Sequence, residues 1–197
     1  MNIKKELEAK AGIANGIYLN NIDIDPLMIK AIMINEVVPS DPSQDFYGTS
    51  DADYLKTTIP LLQGAGTAVT SIQDILQMGI YITNAVKTPK TECAIDKSSI
   101  ESSLPYLEAE LSLFPNTKVI MLMGDVAKNA FNMITKKSTK KNAVPAISTY
   151  KLRNSEIYYK GIRIMPSYIM TGGNILIEKS KVAMATEDIA TMLEIIK

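Results

Sequence analysis

Apolar and polar positions along the chain keep two rhythms. Short, uninterrupted apolar runs stand at Ala31-Ile-Met-Ile34, at Ile80-Tyr-Ile-Thr-Asn-Ala-Val-Lys87 and at Val119-Ile-Met-Leu-Met123, each bounded by Gly, Pro or polar residues. Runs of this length without alternation are those of inner strands in a parallel sheet, whose two faces are both covered by helices. Between them the spacing is helical. Ile3, Leu7, Ala11 and Ile13 predict an amphipathic helix over residues 3–12 that caps the sheet, and Pro26 ends an irregular segment holding Ile22 and Ile24. Helices are predicted from Tyr54 to Leu62 and from Ser71 to Met78, the second with Ser71 as N-cap and Asp74 in its first turn. The glycines of Gln63-Gly-Ala-Gly-Thr67 read as a turn, because no apolar strand leads into them as a dinucleotide fingerprint requires.

Further along, Ser98 and Glu101 make a capping box for a helix with Ile100, Leu104, Leu107 and Leu111 as its stripe, bent or interrupted at Pro105. Gly124-Asp125 turns from the third apolar run into a helix carrying Val126, Ala130, Phe131 and Met133, with Asp125 suited to the N-cap. Glu156–Tyr159 and Arg163–Met165 flank Lys160-Gly161 as a hairpin-like or bulged pair. A last helix from about Glu178 to the end buries Met184, Ile189, Leu193 and Ile196. Strands alternating with helices predict an α/β fold.

Composition narrows the class. The chain has 197 residues, 46% hydrophobic and 21% charged, which suits a single globular domain over residues 1–197 with residues 1–30 as a helical elaboration. One cysteine, Cys93, leaves no intramolecular disulfide and no multi-cysteine metal cluster, so no metal and no cofactor are expected and a reducing cytoplasmic setting fits. No long apolar run and no signal-like start point to a membrane. Histidine is absent altogether, so any catalysis rests on carboxylates, amides, hydroxyls, lysine or backbone. Zero net charge hides a split: residues 1–117 carry 8 basic and 15 acidic groups, net −7, and residues 118–197 carry 13 and 6, net +7. Such a split suggests a polyanion-facing side contributed by the later part, unless folding intermixes the charges.

Candidate chemistry gathers at the carboxyl ends of the predicted strands, where open α/β sheets bind ligands. Asn84 ends the second run; it either satisfies backbone at a turn or faces a ligand. The loop Asn35-Glu-Val-Val-Pro-Ser-Asp-Pro-Ser-Gln-Asp-Phe-Tyr-Gly48 carries Glu36, Asp41, Asp45 and the pair Phe46-Tyr47. Those carboxylates orient water and those rings stack a flat ligand, or else they are turn formers and core anchors. The run Lys136-Lys-Ser-Thr-Lys-Lys141, read as a loop, is either solvated or a phosphate contact through Lys136, Lys137, Lys140 and Lys141.

Four pieces, taken in order, resemble the uracil-DNA glycosylase superfamily: Ile34-Asn-Glu-Val-Val-Pro-Ser40 continuing to Asp45-Phe-Tyr-Gly48; Tyr81-Ile-Thr-Asn-Ala-Val-Lys-Thr-Pro89; Pro105-Tyr-Leu-Glu-Ala-Glu-Leu111 followed by Val119–Gly124 and Ala127; and Met165-Pro-Ser-Tyr168. The resemblance implies a three-layer α/β/α fold with a central four-stranded, mainly parallel sheet. It implies DNA with a uracil-like or otherwise modified base as partner. In its terms Glu36 handles water or developing positive charge, Phe46 or Tyr47 stacks on the flipped base, and Asn84 reads the base edge. Ser167, Tyr168 and Asn174 complete the site from the last loop. A carboxamide matches the O4 acceptor and N3–H donor of uracil, which cytosine reverses. The departure is Met165, where the family commonly has His before Pro-Ser; Ser167, Tyr168, Asn174 or backbone N–H groups would have to replace that donor. Branches of the family with an iron-sulfur cluster use four cysteines, so Cys93 alone implies none. The implied activity is hydrolysis of an N-glycosidic bond in base-excision repair; the alternative is a catalytically weak or inactive nucleobase or nucleic-acid binding protein on the same fold.

Overall fold

The computed structural model describes residues 1–91 and 94–197; Cys93 lies outside the described residues. Five strands, β1 (Ala31–Val37), β2 (Ile80–Val86), β3 (Val119–Met123), β4 (Ile157–Tyr159) and β5 (Ile162–Ser167), form one sheet in the order β2-β1-β3-β5-β4. The first four of that order are parallel, and β4 joins β5 antiparallel at the edge. The sheet therefore has one strand more than the four expected. The extra one is the first arm of the predicted hairpin, whose two-residue turn puts Lys160 at φ 49 and Gly161 at φ 79. Positive φ at both central residues matches the turn to the twist of the flanking strands.

Among the described residues seven helices cover the sheet: α1 (Ile3–Ala11), α2 (Asp53–Gly64), α3 (Ile72–Gln77), α4 (Lys97–Leu111), α5 (Asp125–Thr139), α6 (Thr149–Leu152) and α7 (Lys179–Ile196). Successive strand residues point to opposite faces, so each apolar run fills two cores. Ile32, Ile34, Ile120, Leu122 and Ile164 pack with the helices α1, α4 and α5 on one side. Ala31, Met33, Ile80, Ile82, Met121 and Met165 pack with α2, α3 and α7 on the other. This explains why the strands read as continuous apolar runs and gives the α/β/α layering.

Several boundaries move from their expected places for local reasons. The helix α1 stops at Gly12 (φ 87) and packs mainly on α4, sharing its core with the sheet through Ile3 and Leu7 and leaving Ile13 82% exposed. The cap of α4 is Asp96, whose side chain accepts from the Ser99 N–H at 2.8 Å; the helix thus starts at Lys97 and runs through Pro105 without interruption. Gly124, not Asp125, is the N-cap of α5. That helix continues to Thr139 and takes Lys136 and Lys137 into its last turn, so two of the four lysines of the run expected as a loop are helical. The buried stripe of α7 is Ala185, Asp188, Ile189, Met192 and Ile196, with Met184 and Leu193 only partly covered. Finally, β1 runs to Val37, which carries Asn35 and Glu36 out of the loop and into the strand. No helix among the described residues is long and apolar enough to cross a membrane.

Candidate functional site

Because β1 extends to Val37, its alternation sends Asn35 and Glu36 to opposite sides of the same sheet edge. Glu36 reaches a cleft of about 820 Å³ at the carboxyl ends of β1, β3 and β5, with Gly124, Lys128, Tyr150, Tyr168 and Lys181 among its walls. Its Oε2 accepts from the Val126 N–H at 2.9 Å. That N–H belongs to the first turn of α5, where N–H groups lack helical partners and favour negative charge. Burial nevertheless pushes the Glu36 carboxyl above its usual range, helped by nearby Asp125 and opposed by the Val126 bond and Lys90. A half-desolvated carboxylate of raised pKa facing an open cleft is suited to accept a proton from water.

On the other side, four polar side chains form a chain of hydrogen bonds, with Thr171, Asn35 and Asn84 buried and Asp45 half-buried at its end. Thr171 Oγ1 donates to Asn35 Oδ1 at 3.0 Å, and Asn35 Nδ2 donates to Asn84 Oδ1 at 2.8 Å. Asn84 Nδ2 then donates to both carboxylate oxygens of Asp45, at 3.0 and 2.9 Å. Asn35 and Asn84 face each other in register across the parallel β1–β2 pair, near the carboxyl end of each strand. Asp45 Oδ1 also accepts from the Phe46 N–H at 2.9 Å. Burial raises the Asp45 carboxyl above its usual value, against the lowering bonds from Asn84 and Phe46 and the charge of Lys87. Asn84 is therefore no turn residue: its side chain is 2% exposed and locked in this relay. Asn35 and Thr171 carry no expected role in the sequence, and Asp45 is expected there only as a loop carboxylate that orients water or forms a turn. Its bond to Asn84, thirty-nine residues along the chain, has no local signal, because Asp is so common in turns.

The other expected site residues divide. Tyr168 lines the cleft half-buried, with Lys181 Nζ 6.0 Å from its ring centre. Ser167 borders the cleft, but its hydroxyl donates to Asp188 Oδ2 at 2.6 Å, under α7. Asp188 in turn takes Arg153 Nε at 2.9 Å, so Ser167 belongs to a clamp between β5 and α7. Phe46 is 1% exposed and packs on Tyr54 with ring centres 5.2 Å apart. Tyr47 lies on the outer edge of β2, where its hydroxyl donates to the Ile82 carbonyl at 2.9 Å and accepts from the Ile82 N–H at 3.1 Å. It covers an otherwise open strand edge. Asn174 is exposed in the turn after Gly172 and is not part of the cleft wall. Met165, at the family's usual histidine position, is buried against Met121 in the apolar core.

The basic run is split: Lys136 and Lys137 line a separate groove between α4 and α5, while Lys140 and Lys141 follow the helix end and lead into Asn142 on the cleft wall. Lys137 pairs with Glu108 of α4 at 3.5 Å. The cleft's own cations are Lys128, 3.4 Å from Asp125, and Lys181, 2.8 Å from Glu178. Among the described residues no three His, Cys, Asp or Glu side chains are grouped to hold a metal ion.

A buried pair that sequence reading did not single out supports β2. Lys87 Nζ donates to Glu110 Oε1 and, at 2.7 Å, to Thr83 Oγ1, while the Tyr81 hydroxyl donates to Glu110 Oε2. The two charges, 3% and 1% exposed, tie the end of β2 to α4 behind Asn84.

Comparison with curated proteins returned no match. The family model for the uracil DNA glycosylase superfamily matches residues 31–172. That span opens on the first residue of β1 and closes one residue beyond Thr171, so it contains Glu36 and the whole Asn35–Asp45–Asn84–Thr171 relay and leaves out α1 and α7. With more than half its length matched, and with the sheet, the β1 carboxylate and the β2 amide all inside the match, the chain belongs to the uracil-DNA glycosylase superfamily.

Proposed function

We propose that the protein is a DNA-base glycosylase that takes a flipped, uracil-like base at the carboxyl edge of the sheet and hydrolyses its bond to the sugar. The observation that carries the reading is the pairing of neighbours on β1: Glu36 faces the cleft while Asn35 holds the Asn84 amide. One strand end thus joins a candidate base for water to a candidate reader of the nucleobase.

In this reading the C1′–N bond of the sugar breaks and its electron pair stays on the departing base. A water oxygen bonds to C1′, and Glu36 accepts the water proton. Negative charge on the base is met by the Asn84 N–H and by backbone donors. Met165 supplies none, so the expected rate is lower by roughly 100-fold than with a donor in its place. Tyr168 offers the aromatic face for stacking, and Lys128 and Lys181 approach the phosphates. Asn84 is 2% exposed, so the base reaches its edge through a local opening that leaves the Asp45–Asn84 bonds in place.

Purified protein incubated with single-stranded and duplex oligonucleotides, each carrying one uracil, tests the reading through alkali-labile abasic sites. Abasic sites that vanish in Asn84→Ala support it. Absence of abasic sites, with salt-dependent binding retained, would replace the enzyme by a nucleobase-binding protein.

A further inference from the structure

We infer that Asp45 is a positioning residue that fixes which way round the Asn84 amide stands, and so sets base choice at the proposed glycosylase site, on which this inference rests. An amide side chain turned by 180° exchanges a donor for an acceptor, and two amides in series can turn together. In the chain Thr171–Asn35–Asn84–Asp45 a hydroxyl donates or accepts equally well, and each Asn fits either way if its neighbours reverse with it. Only the ionised carboxylate has a single polarity: it accepts and never donates.

With Asp45 at one end the whole relay is directed. Both Asp45 oxygens lie within 3.0 Å of Asn84 Nδ2, so the nitrogen must point there. Asn84 Oδ1 must then face Asn35 and take its N–H at 2.8 Å, and Asn35 Oδ1 must take the Thr171 hydroxyl. The two Asp45 oxygens lie on one side of Nδ2 and share one of its hydrogens, so the nitrogen keeps its second hydrogen and the Asn84 oxygen its second lone pair. Those two groups, side by side and with their order dictated by Asp45, offer a donor and an acceptor to O4 and N3–H of uracil. Cytosine, with N4–H₂ and unprotonated N3 in those places, meets donor with donor and acceptor with acceptor. The Phe46 N–H, donating to Asp45 Oδ1 at 2.9 Å, holds the carboxylate in place.

Asp45→Asn separates polarity from packing because it keeps size and shape while making the end of the relay reversible. Full-length wild-type protein, Asp45→Asn and Asp45→Ala are compared in single-turnover excision of one uracil or one marked cytosine from otherwise identical single-stranded oligonucleotides. The expected result is that Asp45→Asn narrows the uracil-to-cytosine ratio by about tenfold or more, the scale of one bidentate base contact. A ratio unchanged within about twofold, in a variant that still excises uracil, overturns the inference. Side-chain amide NMR of Asn35 and Asn84 gives a readout independent of excision. One set of NH₂ signals in wild type and doubled or exchange-broadened sets in Asp45→Asn support a relay directed by the carboxylate; the same single set in both proteins overturns it. A wild type that excises nothing, together with doubled amide signals in the variant, counts against the glycosylase reading and not against the directed relay.

Discussion

A Cβ added to Gly124 would stand 2.8 Å from the carboxyl carbon of Glu36, closer than real side-chain carbons approach. Gly124 also has φ 108, a conformation that L side chains rarely adopt. The turn from β3 into α5 is thus shaped around the carboxylate that the same helix holds by its Val126 N–H. Gly124→Ala is therefore expected to destabilise the protein by about 1–3 kcal/mol through backbone strain and to displace Glu36. Urea unfolding and abasic-site formation together check this: stability and activity should both fall, whereas a loss of stability alone would mean that Glu36 tolerates the shift.

Glu36 carries an opposite pair of consequences for pH. Burial holds its folded pKa above the unfolded value, so its contribution to stability is present at low pH and is lost as pH rises through the folded pKa. Catalysis as a base needs the ionised form and rises over the same window. Asp45, raised by the same cause, adds to the stability trend. Glu36→Gln should accordingly melt at a higher temperature than wild type, by an amount that grows above the carboxylate range, while excision falls about 100-fold or more. Thermal melts and single-turnover rates across pH give both curves.

The Lys87–Glu110 pair predicts a large asymmetry between breaking and replacing it. Removing one partner leaves the other charge buried, at a cost of about 3–5 kcal/mol, so Glu110→Ala should lower the urea midpoint strongly. Replacing both, as in Lys87→Met with Glu110→Leu, should recover most of that loss. Equal destabilisation by the single and double changes would show that the Tyr81 and Thr83 hydroxyls, which also bond Glu110, carry the cost instead.

What the chain revealed in advance followed from local pattern. The three apolar runs are strands because their residues fill two cores at once, and Val119–Met123 is found with its expected ends. Ser71 caps its helix as Ser residues do, accepting from Asp74 N at 3.2 Å. Less legible were features decided by partners far along the chain. Asp96 displaced Ser98 as cap by reaching Ser99, and Tyr47 went to the edge of β2, thirty-five residues away. Ser167 is held by an aspartate on the last helix, which no local pattern announces. The Asn84 position was legible as a strand end, but its partners Asp45 and Thr171 meet it only through tertiary folding. Lys136 and Lys137 looked like loop because they are charged, and the helix absorbed them as favourable charges in its last turn.

Two groups of lysines compete for the phosphate role, and salt separates them. Each phosphate contact contributes roughly 0.7–0.9 to the slope of log affinity against log salt. Because Lys128 and Lys181 line the cleft, changing both to Ala should lower the slope for a uracil-bearing oligonucleotide by about 1.4–1.8. Changing Lys136 and Lys137 to Ala should leave it nearly unchanged, since they line the groove between α4 and α5 and not the cleft. The reverse pattern would move the bound strand away from the cleft and onto the α4–α5 side, where Lys137 pairs with Glu108.

The most direct measurement is single-turnover excision from a uracil-bearing single-stranded oligonucleotide by wild type, Glu36→Gln and Asn84→Ala, with folding of each checked by thermal melting. Abasic sites are expected with wild type, with a loss of about 100-fold or more in Glu36→Gln and a comparable loss in Asn84→Ala, both in folded proteins. Wild-type rates retained in folded Glu36→Gln, or no abasic sites from wild type itself, would contradict the proposed function.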